Sequence, residues 1–180
     1  MDFLTGVDYQ VFSFFNSWAG VSPAVDWVII FFAHYVVYLV SAWVVGYFFL
    51  HRKELKARQA VVVSAAAVVL SRVFVTEIIR YIAYRDRPYL SHVVVQLIAK
   101  GSEPSFPSAH TSGLMALGVA VYFFNKKMGI VISVLTLCVG LSRIFAGVHY
   151  PGDILGGAVV GVASALVVYK VFLWKFARVE

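Results

Sequence analysis

Charge is scarce in this sequence of 180 residues: Asp, Glu, Lys and Arg together make up 13% of it. A soluble domain carries about 25% charged and about 45–50% apolar residues. Here 61% are apolar, which excludes a disordered or collagen-like chain and makes lipid the expected solvent. Cysteine is nearly absent as well. Cys138 is the only one, so no internal disulfide can form, and its place in an apolar run assigns it to packing. Lys and Arg are missing altogether from the first 51 positions. Without a basic n-region, MDFLTGVDYQ does not read as a cleaved signal peptide, and the first membrane span is expected to stay in the protein.

What is present is a series of long apolar runs. Five segments, roughly 24–50, 59–84, 108–124, 128–147 and 152–174, approach the about 20 residues that a helix needs to cross the hydrocarbon core. Trp27 to Leu50 holds no Asp, Glu, Lys or Arg. The expected fold is therefore all-α and integral to a membrane, one domain over 1–180 with five to six transmembrane helices. Residues 1–19 stand apart. Phe3, Leu4, Val7, Val11, Phe14, Phe15 and Trp18 fall near a helical period, interrupted by Asp2, Asp8, Gln10 and Asn16. This pattern predicts an interfacial amphipathic helix, or a short first helix, ahead of the spans. Gly152, Gly156, Gly157 and Gly161 supply small residues four apart, which predicts close helix packing.

The net charge of +6 is a topology signal. Arg52, Lys53, Lys56, Arg58, Lys126, Lys127, Lys170, Lys175 and Arg178 stand against Glu54 and Glu180 in two short loops and the tail, a surplus of seven. The rest of the chain holds six basic residues against seven acidic ones. The basic loops are expected inside the cell, which puts 85–107 and 148–151 outside; a nucleic-acid partner is not expected.

Charges within spans are costly, so they need a partner, a wet cavity or a function. Arg72, Glu77 and Arg80 lie in the second run. For Arg72 a buried structural pair is the favoured reading. Arg80 is followed closely by Arg85 and Arg87, and this tips it toward function. In EPSFPSAHTSG, Pro104 and Pro107 precede a helix start at Ser108, where free N–H groups and the dipole suit an anion. Ser108 alone would read as a helix cap; His110 beside it argues for more. In SRIFAGVHYPGD, Asp153 lies four residues after His149, spaced to accept from one ring nitrogen and leave the other free as nucleophile or base. With Arg143, these residues form a candidate phosphate site on the outer face. Metal binding is the competing use of two histidines, but a cage of arginines repels a cation, and no metal is expected.

The sequence resembles the type 2 phosphatidic acid phosphatases, membrane relatives of the vanadium haloperoxidases. Their signature is a basic residue, six residues and Arg-Pro, then Pro-Ser-x-His, then Ser-Arg, five residues, His, three residues and Asp. Here it is carried by Arg80 with Arg87-Pro88, by Pro107-Ser108-Ala109-His110, and by Ser142-Arg143 with His149 and Asp153. Arg80 replaces the usual Lys and Ala109 the usual Gly, preserving charge and small size. Within the family the phrases SEPSFPSAHTSG and RIFAGVHYPGDILGG are most similar to bacterial undecaprenyl pyrophosphate phosphatases.

The resemblance implies a haloperoxidase-like helical core over 24–174 in a bacterial plasma membrane, with its site on the outer face. It implies hydrolysis of a lipid-linked phosphate or diphosphate without cofactor or metal. His149 would attack phosphorus, Asp153 orient it and His110 protonate the leaving oxygen; Arg80, Arg87, Arg143 and Ser108 would bind the phosphate. Arg85, Asp86, Lys100 and Glu103 share the outer loops, where headgroup contact and a plain solvated loop are equal alternatives. Phosphatidylglycerol phosphate, phosphatidate and lipid A phosphatases share the implied residues and remain alternatives. A small transporter is the non-enzyme alternative, set back by charges that gather at one face and by the lack of a repeat.

Overall fold

The first long helix starts at Ser22 and Pro23 for local reasons. The Ser22 hydroxyl accepts from the Val25 N–H at 3.3 Å, and Pro23 fills the first helical position, where no N–H is needed. The computed structural model describes residues 3–99 and 101–176, and its regular elements are all helices. They are α1 (Phe3–Asn16), α2 (Pro23–Leu50), α3 (Leu55–Ile82), the single turn α4 (Pro88–Ser91), α5 (Ala109–Tyr122), α6 (Lys126–Phe145) and α7 (Pro151–Phe176). Asn125 caps α6 by accepting from the Met128 N–H at 3.1 Å.

Four of these, α2, α3, α6 and α7, are long and apolar enough to cross a membrane. The run at 108–124, expected as a fifth span, forms the shorter helix α5, which joins the end of the bundle holding 83–108 to the end holding 123–125. It has 14 residues, roughly 21 Å of rise against a hydrocarbon core of about 30 Å. Ten of the 14 are buried, so α5 is a short pillar enclosed by the spans. Apolar composition marks a segment for burial without saying whether lipid or protein surrounds it.

On one side of α5, Leu114 and Val121 pack with Val36, Val40 and Val44 of α2 and with Ile132 and Val139 of α6. On the other, Ala116 and Ala120 meet Val63 and Ala67 of α3 and Ala165 of α7. The small residues permit close approach, and the glycines of α7 take it furthest. A Cβ on Gly157 would lie 2.7 Å from the Ser108 carbonyl oxygen, and one on Gly161 would lie 2.5 Å from that of Ser112. The predicted tight packing is thus the contact of α7 with α5, and it brings the first turns of both helices together.

Two spans contain a π-helical turn, Phe31–Tyr35 in α2 and Leu70–Val75 in α3. Such turns disturb the regular hydrogen-bond ladder and gather at functional sites. Each is sewn to a neighbour. The Ala33 carbonyl accepts from Arg143 Nη1 at 2.9 Å, and Ser71 Oγ donates to the Ser112 carbonyl at 3.0 Å. Thr76 Oγ1 pairs with Ser112 Oγ at 2.8 Å just beyond the second turn.

α1 forms as an amphipathic helix too short to span, with the apolar stripe facing outward and a polar edge turned toward protein. Phe14 and Trp18 are 63% and 53% exposed, while Phe12 and Asn16 are buried. Asp8, Phe12 and Asn16 are four apart and share the inward face. Asn16 Nδ2 donates to the carbonyls of Val95 and Phe145 at 2.8 and 2.9 Å, and Asn16 Oδ1 accepts from the Val95 N–H at 3.0 Å. In lipid the polar edge of a helix gains by turning toward protein. Alternation of the helices puts α1, 83–108 and 146–150 at one end of the bundle and the turns 51–54 and 123–125 at the other.

Candidate active site

The end that carries α1 collects all three sequence clusters. Arg80 sits in the last turn of α3, and the chain then runs extended to Arg87, as the following Pro88 favours. The Ser105 N–H donates to the Arg85 carbonyl at 2.8 Å, and the Ser108 N–H donates to the Asp153 carbonyl at 3.0 Å. These two backbone bonds tie the loop after α3 to the start of α5, and the start of α5 to the first turn of α7.

Arg80, Arg87 and Arg143 are all buried. Arg87 is held on three sides. Its Nε donates to the Glu103 carbonyl at 2.9 Å, and its Nη1 donates to the Val148 carbonyl at 3.0 Å and lies 3.2 Å from His149 Nε2. Arg143, apart from its bond to Ala33, keeps Nε and Nη2 buried without a hydrogen-bond partner, and Arg80 Nε is in the same condition. A buried unsatisfied donor costs about 1–3 kcal/mol, and more when charged. Three such donors on two guanidinium groups match the oxygens of a bound oxyanion. Ser108 is fully buried too. Its Oγ accepts from Thr111 Oγ1 at 3.1 Å, which leaves its own proton to donate.

His149 and Asp153 form a second wall, joined to the arginines where His149 Nε2 meets Arg87 Nη1. Asp153 Oδ2 accepts from His149 Nδ1 at 3.2 Å, from the Tyr150 N–H at 2.8 Å and from Ser105 Oγ at 2.5 Å. Its Oδ1 accepts from Arg85 Nη1 at 3.0 Å. An ionised carboxylate only accepts, so it places the imidazole proton on Nδ1 and leaves the lone pair on Nε2. Burial pushes the His149 pKa down to about 4. Asp153 pulls it upward, and Arg143 and Arg87 push it further down. The ring is therefore neutral near pH 7, and its Nε2 lone pair accepts from Arg87 Nη1, the contact that an electrophile held by the arginines would replace.

The structure thus brings together Arg80, Arg87, Ser108, Arg143, His149 and Asp153. His110 lies in the first turn of α5, partly buried, two residues after Ser108. Arg85 has a different task from the headgroup contact considered for it. It bridges Asp153 to Asp8, whose Oδ2 accepts from Nη2 at 2.7 Å, and its guanidinium lies 3.9 Å from the centre of the Tyr150 ring. Glu103 is 64% exposed and lies 3.6 Å from Arg87 Nη2, at the rim. Asp86 is engaged with the Tyr84 hydroxyl and raises its pKa. Lys100 lies outside the described residues. Among the described residues no three His, Cys, Asp or Glu side chains cluster as metal ligands would.

Two residues of this network escaped the motifs. Asp8 accepts from the Gly152 N–H at 2.8 Å as well as from Arg85, and its signal was its spacing of four from Phe12 and Asn16. Ser105 had no distinguishing signal beyond lying in the same loop as Ser108.

Residues 60–177 match the family profile described as PAP2 superfamily. The chain is 31% identical over 165 residues to the bacitracin transport permease protein BcrC of Bacillus licheniformis, covering 91% of this chain and 79% of that one. It is 27% identical over 169 residues to the undecaprenyl-diphosphatase BcrC of Bacillus subtilis, covering 91% and 83%. Among solved structures, LpxE of Aquifex aeolicus superposes with a TM-score of 0.73 at 23% identity, covering 91% of this chain and 95% of that one. At that identity the likeness is one of fold.

Proposed function

The chain belongs to the PAP2 superfamily and is a membrane lipid phosphatase, and from that premise we propose that it converts undecaprenyl diphosphate to undecaprenyl phosphate on the outer leaflet of a bacterial plasma membrane. The observation that carries the chemistry is the set of buried, unpartnered guanidinium donors of Arg80 and Arg143 gathered with Arg87, whose Nη1 lies 3.2 Å from Nε2 of a neutral His149. The likeness to the Bacillus subtilis undecaprenyl-diphosphatase over 91% of the chain supports the substrate. The Lys and Arg residues near the 51–54 and 123–125 turns support the orientation.

His149 Nε2 attacks the terminal phosphorus in line; an N–P bond forms as the bond to the bridging oxygen breaks. Arg80, Arg87, Arg143 and Ser108 bind the equatorial oxygens, where charge gathers. Asp153 stabilises the imidazolium that results. His110 gives its proton to the leaving oxygen, which departs as the lipid monophosphate. His110 then takes a proton from water, whose oxygen attacks the phosphohistidine, and inorganic phosphate leaves with His149 neutral again. The lipid monophosphate is thereby returned for another round of glycan loading in cell-wall synthesis.

The test is phosphate release by the purified protein from undecaprenyl diphosphate, phosphatidylglycerol phosphate, phosphatidate and lipid A. Preference for the first is the expected result. Preference for another lipid overturns the substrate and leaves the phosphatase chemistry; phosphate-independent solute uptake into vesicles would favour a transporter.

A further inference from the structure

Arg72 has no part in the mechanism above, yet a charge that deep in a span needs a reason. It lies in the π-helical turn Leu70–Val75 of α3, about two turns further from the site's end of the bundle than Arg80. Its side chain reaches back toward the site. Arg72 Nη1 is 3.7 Å from Glu77 Oε1, and Arg80 Nη1 is 3.3 Å from the same oxygen. The stem lies against α5, where a Cβ on Gly113 would be 3.4 Å from Arg72 Cδ. Gly113 is three residues after His110, one helical turn deeper on the same side of α5. Arg72 also acts electrostatically on both Arg80 and Arg143. The side chains of Arg72 and Glu77 are 45% and 52% exposed, so the pair is not the buried structural one the sequence suggested.

In-line displacement sends the leaving group away from His149, past the acid that protonates it. In a lipid diphosphate that leaving group is itself a phosphate, on the side of the lipid chain and therefore deeper than the scissile phosphorus. Building on the diphosphatase reading above, we infer that Arg72 is a second anion subsite that receives the lipid-proximal phosphate, and so selects diphosphates over monophosphates. Glu77 acts as counter-ion between substrates, holding the Arg72 guanidinium next to that of Arg80. Beside Glu77, the charged groups near this position are Arg80, Arg143, Arg87 and, at the rim, Glu103, a net positive set.

The test compares farnesyl diphosphate with farnesyl monophosphate in detergent, for the wild type and for Arg72→Gln and Arg72→Lys. The ratio of kcat/KM for diphosphate to monophosphate falls about tenfold or more in Arg72→Gln, the size of one lost hydrogen bond to a charged group. Arg72→Lys recovers part of it. A wild type that hydrolyses both substrates, with a ratio unaltered in Arg72→Gln, overturns this inference alone. A wild type that releases no phosphate from the diphosphate overturns the diphosphatase reading and this inference with it. If the variants do not fold, inhibition of the wild type decides: a farnesyl methylenebisphosphonate binds at least several-fold tighter than the monophosphonate, and equal affinity overturns the subsite.

Discussion

The two walls of the site are finished to different degrees. On the histidine side every polar atom described has a protein partner, and Asp153 alone accepts from Ser105, His149, Tyr150 and Arg85. On the arginine side Arg143 has one partner, Ala33, and three guanidinium donors of Arg80 and Arg143 have none. A saturated wall is rigid and fixes where a lone pair points; an unsaturated one stores binding capacity for charge that arrives with a substrate. In the proposed mechanism the division separates the group that reacts from the groups that hold what it reacts with.

Substitutions test that division, the largest effect first. His149→Ala removes the proposed nucleophile and should lower kcat by roughly 10⁴-fold or more, measured as phosphate release by folded protein in detergent. Arg143→Ala should lower kcat/KM by roughly 10²–10³-fold, with Arg143→Lys recovering part, because a receptive donor fork is lost while His149 stays in place. Asp8→Asn strikes the saturated wall from outside. It weakens the bonds to Arg85 and the Gly152 N–H, and should cost about 1–3 kcal/mol in unfolding free energy with a smaller loss of turnover than at Arg143.

Acid should expose the same contrast in stability. The unfolded chain binds a proton at His149 near pH 6.5, whereas burial holds the folded value at about 4. Between those values the unfolded state carries a proton that the folded state lacks. Stability therefore falls as pH drops from about 6.5 to about 4, by on the order of 3 kcal/mol from this group, and is independent of it above that window. Thermal unfolding of the wild type should show this slope, and His149→Gln should lack its share. The smallest effect concerns metal: excess EDTA should leave the rate unchanged, because the arginines supply the charge that a divalent cation would.

Much of this was legible in the sequence. The spans follow from apolar length, and charge in or beside a span, a helix start, the His149–Asp153 spacing and the family signature together singled out Arg80, Arg87, Ser108, His110, Arg143, His149 and Asp153, which the fold gathers at one end. The rest required knowing which solvent each face meets. α5 has the composition of the lipid-facing spans, yet it is surrounded by protein. Asp8 and Asn16 looked like interruptions of an apolar stripe, whereas lipid takes the stripe and protein takes Asp8 and Asn16. Arg85 stood beside Arg87 in sequence, but its partners, Asp8 and Asp153, lie 77 and 68 positions away.

Those separations also set an order in time. A chain emerges from the ribosome N-terminus first. α1 is made early, yet the N–H that Asp8 caps belongs to Gly152, 144 residues later, and Asn16 waits for Phe145, 129 residues later. The bonds that dock α1 can therefore close only after residues 145–152 have been made. His149 is thus held in register by a clasp whose two halves are synthesised far apart in time, and a chain that has not yet closed it lacks the assembled site.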